Sequence, residues 1–234
     1  MPTRRRVVIV TGAGRGIGFA TAQAFAGAGY AVVVAERAAA RGRNAARRLR
    51  REGAAAVFVH TDVAQPGAAE RAVRAATTRF GAHAALECVV NNAGVIEVDR
   101  LEKLDRGDIE EIVRVDLIGP LLVARAALPL MRRRRRGVIV NVSSLLGKEG
   151  LAEFVPYCSA KFGLIGMTEA LADELRGTGV RVYAVCPGQV DTPMAKKAGV
   201  TDDLIPPAHV ARVIVALATG RRRRPSGSAV DVTR

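Results

Sequence analysis

The sequence predicts an α/β fold: a doubly wound parallel sheet of about seven strands with helices on both faces, filling residues 1–234 as a single domain. Three observations predict it. The chain has 234 residues, a length that suits one domain with a substantial core. Short β-branched runs alternate with longer Ala/Arg/Leu segments, the pattern of buried parallel strands joined by crossover helices. A glycine-rich turn, Thr11 to Gly18, stands between the first such run and the first helical segment.

In chain order, Val7 to Val10 is wholly β-branched and reads as the first strand. Residues 17 to 28 have helical composition and lead to the valine run Ala31 to Ala35. The Ala/Arg segment 38 to 52 crosses to Ala55 to His60, and the segment 67 to 79 crosses to Cys88 to Asn91. One long helical stretch, 108 to 131, precedes Val138 to Val142. Segments 157 to 176 and 208 to 218 then flank Val180 to Val185, and Ser228 to Val232 closes the sheet. No Gly/Ser linker or low-complexity tract divides the chain.

Composition narrows the function classes. The chain is 49% hydrophobic and 25% charged, which excludes a disordered or fibrous protein. No apolar run approaches the roughly 18 residues of a membrane span, and MPTRRRVVIV has too short an apolar core for a secretory leader, so a cytoplasmic protein is expected. Cys88, Cys158 and Cys186 lack metal-ligand spacing, and the three histidines are scattered, so no metal is expected. Lys+Arg 36 against Asp+Glu 22 gives a net charge of +14. That excess raises the possibility of an anionic-surface or nucleic-acid binder, but aromatics total 4% and no nucleic-acid module is recognisable, so neither a specific nucleic acid nor a membrane is expected as a partner.

The topology sorts the residues by face. Ligands bind beyond the carboxyl ends of the strands in such a sheet, so the strand-to-helix loops share one side. Those loops carry TGAGRGIG, ER, TDVA, NNAG, NVSS and CPGQVDTP. The arginine runs at 4 to 6, 47 to 51, 132 to 136 and 221 to 224 fall on the opposite side. TGAGRGIG lets a pyrophosphate approach backbone amides at a helix N-terminus, which makes the sheet Rossmann-like. Glu36, 18 residues beyond Gly18, stands where an acid would accept from an adenosine ribose. Ser144, Tyr157 and Lys161 follow as S-x12-Y-x3-K. On a helix, Tyr157 and Lys161 share a face, so the ammonium can favour the phenolate.

With these residues in view, the sequence resembles the short-chain dehydrogenase/reductase family from Val7 to about Val232. TGAGRGIG is similar to its TGxxxGxG loop, Asp62-Val63 to its adenine contact, Asn91-Asn92-Ala93-Gly94 to its NNAG turn, and YCSAK to its YxxxK. Pro187-Gly188 with Val190 and Thr192 resembles its PGxVxT segment. The resemblance implies an NAD(P)-dependent oxidoreductase interconverting a secondary alcohol and a carbonyl. It implies that Tyr157 is the general acid and base, that Ser144 polarises the substrate oxygen, and that Lys161 binds ribose and lowers the tyrosine pKa. Its cofactor contacts would be Gly12, Arg15, Gly16, Ile17, Gly18, Glu36, Arg37, Asp62, Val63, Asn91, Ala93, Gly94, Tyr157, Lys161, Pro187, Gly188, Val190 and Thr192. The resemblance also implies a homo-oligomer, dimer or tetramer, through the helices at 108 to 131 and 157 to 176.

One position departs from the family. Where an asparagine is usual in a V-N-L context, this chain reads Val115-Asp116-Leu117. Asp116 either joins the proton relay to Lys161 or faces solvent or another subunit. The departure leaves open a cofactor-sensing module without turnover. Glu36 should repel a 2'-phosphate and favours NAD, whereas Arg37 and Arg15 stand where NADP users of the family place positive charge. Leu145, Leu146, Leu151, Phe154 and Val155 form an apolar wall for a medium or bulky ketone or alcohol, beside a short substrate loop at about 194–206.

Overall fold

The computed structural model describes residues 5–233; Arg4, the first residue of the first arginine run, lies outside them. β1 (Arg5–Thr11) leads through α1 (Gly16–Gly27) to β2 (Ala31–Glu36), and α2 (Ala39–Arg51) leads to β3 (Ala56–His60). After α3 (Ala68–Thr78) and β4 (Ala84–Asn91) come α4 (Arg106–Val113), a π-helical turn (Arg114–Ile118) and α5 (Gly119–Arg134). Then follow β5 (Gly137–Val142), α6 (Val155–Glu174), β6 (Val180–Pro187), α7 (Pro193–Lys197), α8 (Pro207–Ala218) and β7 (Ala229–Val232).

The seven strands pair in parallel in the order β3-β2-β1-β4-β5-β6-β7, the doubly wound sheet that the sequence predicts. Alternate side chains feed two apolar layers, as the two-residue period of a strand requires. Val8 and Val10 join Phe25 of α1, Leu49 of α2 and Ile214 of α8 on one face. Val7 and Ile9 join Val73 of α3, Val123 of α5 and Ala172 of α6 on the other. Strand order reverses between β1 and β4, so their carboxyl ends open the crevice in which such sheets hold ligands.

Three elements differ from the sequence reading, the first being α7, which forms at the start of the loop expected at about 194–206. β4 begins at Ala84 rather than Cys88, because a register shift lets Glu87 sit as the extra residue between Leu86, opposite Val7, and Cys88, opposite Val8. The single helix expected at 108–131 is broken at the π turn. Pro120 has no N–H to return to the carbonyl of Asp116 four residues earlier, so the regular ladder fails there. The widened turn directs Asp116 inward, where it is fully buried.

The arginine runs at 47–51, 132–136 and 221–224 close α2, close α5 and follow α8, away from the carboxyl ends of the strands. Among the described residues no helix is long and apolar enough to cross a membrane.

Candidate active site

A cavity of about 510 Å³ lies over the carboxyl ends of β1, β2, β4, β5 and β6. Its floor is backbone. Gly12 has φ +63°, and a Cβ there would stand 2.9 Å from Ala93 Cα. A Cβ on Gly18 would stand 2.3 Å from the Gly12 carbonyl oxygen, closer than any side chain tolerates. Arg15 caps α1 without a side-chain bond, so the first amides of the helix remain available to an anion. The glycine loop is tied to the β4 loop through Thr11, whose Oγ1 accepts from Asn92 N (2.9 Å) and Ala93 N (3.0 Å). Asn92 Nδ2 returns a bond to the Thr11 carbonyl at 2.9 Å. This narrow, glycine-floored cradle at a helix N-terminus fits a dinucleotide pyrophosphate.

At the β2 end, the Glu36 carboxylate accepts from Gly14 N at 3.0 Å and Ala38 N at 2.9 Å, with Arg41 Nη2 3.3 Å away. Arg37 turns instead to Glu111, 2.7 Å away. Asp62 Oδ1 accepts from Ala64 N at 3.1 Å and so shapes the turn after β3. Val63 packs under Gly119, where a Cβ would come within 2.7 Å of it.

At the other end α6 carries Tyr157 and Lys161, four residues apart on one face; Lys161 Nζ stands 5.3 Å from the centre of the Tyr157 ring. Ser144 follows β5, and its Oγ accepts from Leu146 N at 3.1 Å. Ser143 Oγ donates to the Lys161 carbonyl at 3.0 Å and fastens α6 to the same loop. Lys161 Nζ donates to the Val142 carbonyl at 3.2 Å and forms an ion pair with Asp116 Oδ2 at 3.0 Å. Asp116 Oδ1 accepts from Val95 N at 2.8 Å, while Gly94 admits the carboxylate because a Cβ there would lie 2.9 Å from Oδ2. Asp116 is thus neither solvent-facing nor left for another subunit.

Burial sets the electrostatics. It pushes the Tyr157 phenol above its ordinary pKa; Lys161 opposes the shift and Asp116 adds to it. Burial also disfavours the Lys161 ammonium, yet Asp116 and Tyr157 together outweigh it and hold Lys161 above the usual lysine range. Asp116 is pushed up by burial, against the Lys161 ammonium and the Val95 amide. Groups this close titrate together.

Ser144, Tyr157 and Lys161 line the same cavity as Gly12, Arg15, Gly16, Ile17, Gly18, Glu36, Arg37, Asp62, Val63, Ala93, Gly94, Pro187, Gly188, Val190 and Thr192. Asn91 is a correction: its side chain is buried away from the cavity, donating to Asn141 Oδ1 at 2.9 Å. Asn141 donates in turn to Thr168 Oγ1 at 2.9 Å, a polar ladder joining β4, β5 and α6 that is buried and therefore needs partners. Asn92, not Asn91, lines the cavity. Val155 is a second correction, since it lies on α6 outside the cavity lining, while Leu145, Leu146, Leu151 and Phe154 do form a wall. The sequence reading also missed Thr11, Arg41 and Ser143. The two hydroxyl residues had a legible signal, since Thr11 ends β1 and Ser143 directly follows β5 on the ligand side; Arg41 had none among so many arginines.

Comparisons with known proteins agree with this geometry. A family model described as short chain dehydrogenase matches residues 6–203. L-fucose dehydrogenase of Bos taurus is 35% identical over 223 residues, covering 94% of this chain and 79% of that one. Cis-4-hydroxycyclohexanecarboxylate dehydrogenase of Sinomonas cyclohexanicum is 39% identical over 190 residues, covering 81% and 75%. The monensin polyketide synthase putative ketoacyl reductase of Streptomyces virginiae is 37% identical over 198 residues, covering 82% and 73%.

Proposed function

The chain belongs to the short-chain dehydrogenase family and is a nicotinamide-dependent oxidoreductase, and from that premise we propose that it interconverts a secondary alcohol and a ketone, with Tyr157 exchanging the proton at the reacting oxygen. The observation that carries the proposal is the meeting of Tyr157, Ser144 and Lys161 in the cavity whose other end is the glycine cradle. The relatives' names, two dehydrogenases and a putative ketoacyl reductase, belong to the same reaction class.

The nicotinamide, when bound, supplies or accepts the hydride. Tyr157 gives its proton to the carbonyl oxygen in reduction and takes one from the hydroxyl in oxidation. Ser144 donates to the same oxygen: its Oγ accepts from Leu146 N, and its own hydrogen, within bonding reach of the Tyr157 oxygen, can turn to the substrate. Lys161 holds a ribose and lends positive charge to the phenolate, and Asp116 orients that lysine from behind. The whole chain acts as one cofactor-binding and catalytic domain.

NAD is the preferred cofactor. The Glu36 side chain, 7% exposed and held by two backbone amides, would repel a 2'-phosphate at the β2 end of the cavity, and Arg37 is engaged with Glu111. A homo-oligomer is supported by Ile118, Leu121, Val155 and Phe162, which lie exposed on the π turn, α5 and α6. Large apolar side chains grouped on neighbouring elements are the kind of surface that a second copy covers.

Tyr157→Phe tests the reaction. Turnover, followed by nicotinamide absorbance with a panel of secondary alcohols and ketones, should fall by more than ~100-fold while the cofactor dissociation constant stays within about threefold. Retention of more than a tenth of kcat would overturn the assigned proton transfer.

A further inference from the structure

The two ends of the cavity differ in charge. Three of its cationic residues, Arg15, Arg37 and Arg41, come from the loops and helix that follow β1 and β2; Arg37 is paired with Glu111 and Arg41 with Glu36, while Arg15 has no ion pair with a described residue. The fourth, Lys161, is paired with Asp116. The segments after β5 and β6 build the other end, walled by Leu145, Leu146, Leu151, Phe154, Met194 and Val200. Glu149 lines that end as well, and its carboxylate makes no ion pair with any described residue. The neighbouring Lys148 is turned away, its Nζ lying 3.0 Å from the Ala229 carbonyl and 2.5 Å from Asp231 Oδ1.

Distance keeps the two ends separate. β1 and β2 are two and three places from β5 in the sheet, or roughly 10 to 14 Å at ~4.8 Å per strand. That is at least the ~10 Å screening length at 0.1 M salt. An anionic substituent at the β5 end would therefore meet the Glu149 carboxylate and an apolar wall, where an uncompensated charge is costly, beyond reach of the arginines. The +14 charge of the chain would draw anions toward the protein as a whole, but the local sign decides which of them seats.

We propose that the β5–β6 end of the cavity selects an uncharged or cationic, largely apolar secondary alcohol or ketone, with Glu149 the specificity-determining residue that turns away a carboxylate or phosphate near the reacting carbon. The inference rests on the alcohol–ketone reaction proposed above.

The test uses acetophenone bearing a para carboxamide, carboxylate or aminomethyl group, nearly isosteric probes of different charge. The wild-type protein should reduce the carboxamide with a kcat/KM at least about tenfold above that of the carboxylate. Glu149→Gln should narrow the gap to within about threefold, Glu149→Lys should reverse it, and 0.5 M salt should shrink it in the wild type, as screening of an exposed charge requires. Nicotinamide fluorescence gives the dissociation constant of each probe from the protein–cofactor complex, a readout independent of turnover. A carboxylate bound and reduced as well as the carboxamide, a gap indifferent to Glu149, or binding of none of the probes would each overturn the charge selection. Binding that follows Glu149 with no reduction of any probe would support the selection and count against the proposed reaction.

Discussion

Asp116 Oδ2 lies 3.0 Å from Lys161 Nζ, and neither side chain is more than 5% exposed. The pair sits directly behind the Tyr157 phenol, with the Val95 amide and Gly94 closing around the carboxylate. A negative charge this close takes up part of the ammonium field that would otherwise act on the phenol, so this chain's tyrosine holds its proton more firmly than Lys161 alone would allow.

Asp116→Asn should therefore ease phenolate formation. In the proposed reaction the basic catalyst in oxidation is Tyr157 without its proton, and removing a negative neighbour lowers its pKa. The acidic limb of the oxidation pH–rate profile should move to lower pH, with a faster rate near neutrality. An unchanged profile would show the carboxylate to be a bystander.

Replacing Glu36 with Ser should shift the kcat/KM ratio toward NADP by about tenfold or more, ~1.4 kcal/mol, because the carboxylate no longer stands against a 2'-phosphate and Arg41 beside it is released. A wild-type protein that already prefers NADP tenfold would contradict the role given to Glu36.

Gly18→Ala places a methyl 2.3 Å from the Gly12 carbonyl oxygen and 2.5 Å from Asn92 Nδ2. Backbone must move, at a cost of roughly 1–3 kcal/mol for overpacking. A fall in Tm of several degrees should accompany loss of cofactor binding, by calorimetry and titration. Gly27→Ala, on the same helix with nothing within 4 Å, should leave both unchanged or slightly improved.

Sedimentation of the wild-type protein at micromolar concentration should give a dimer or tetramer. Leu121→Glu with Phe162→Glu should shift it toward the monomer, since these large apolar side chains on α5 and α6 are each 45% exposed. A wild-type monomer would remove the expectation.

Neutralising Arg132 to Arg136 should change salt-dependent association and leave kcat/KM for a small neutral substrate within about threefold. These residues end α5 and precede β5, a whole strand length from the cavity, where screening leaves little of their field. A larger loss would place some of that charge at the site.

The order of the chemistry along the chain was legible before any tertiary structure. β-branched runs such as Val7 to Val10 and Ala31 to Ala35 impose strands through local sterics and burial. Parallel crossovers then assign every strand-to-helix loop to one side. The glycine cradle, Glu36, Ser144 and the Tyr157–Lys161 spacing follow from those local rules. Three-dimensional packing decided the rest. Asn91 and Asn92 are neighbours of one residue type, yet the strand pleat buries one beside Asn141 and turns the other to the cavity. Asp116 could have faced solvent on a regular helix, and only the π turn before Pro120 carries it inward to Lys161, 45 residues further along the chain. Periodicity records which residues share a face of one element. It does not record where a ladder breaks, or which distant side chain waits on the other side of the break.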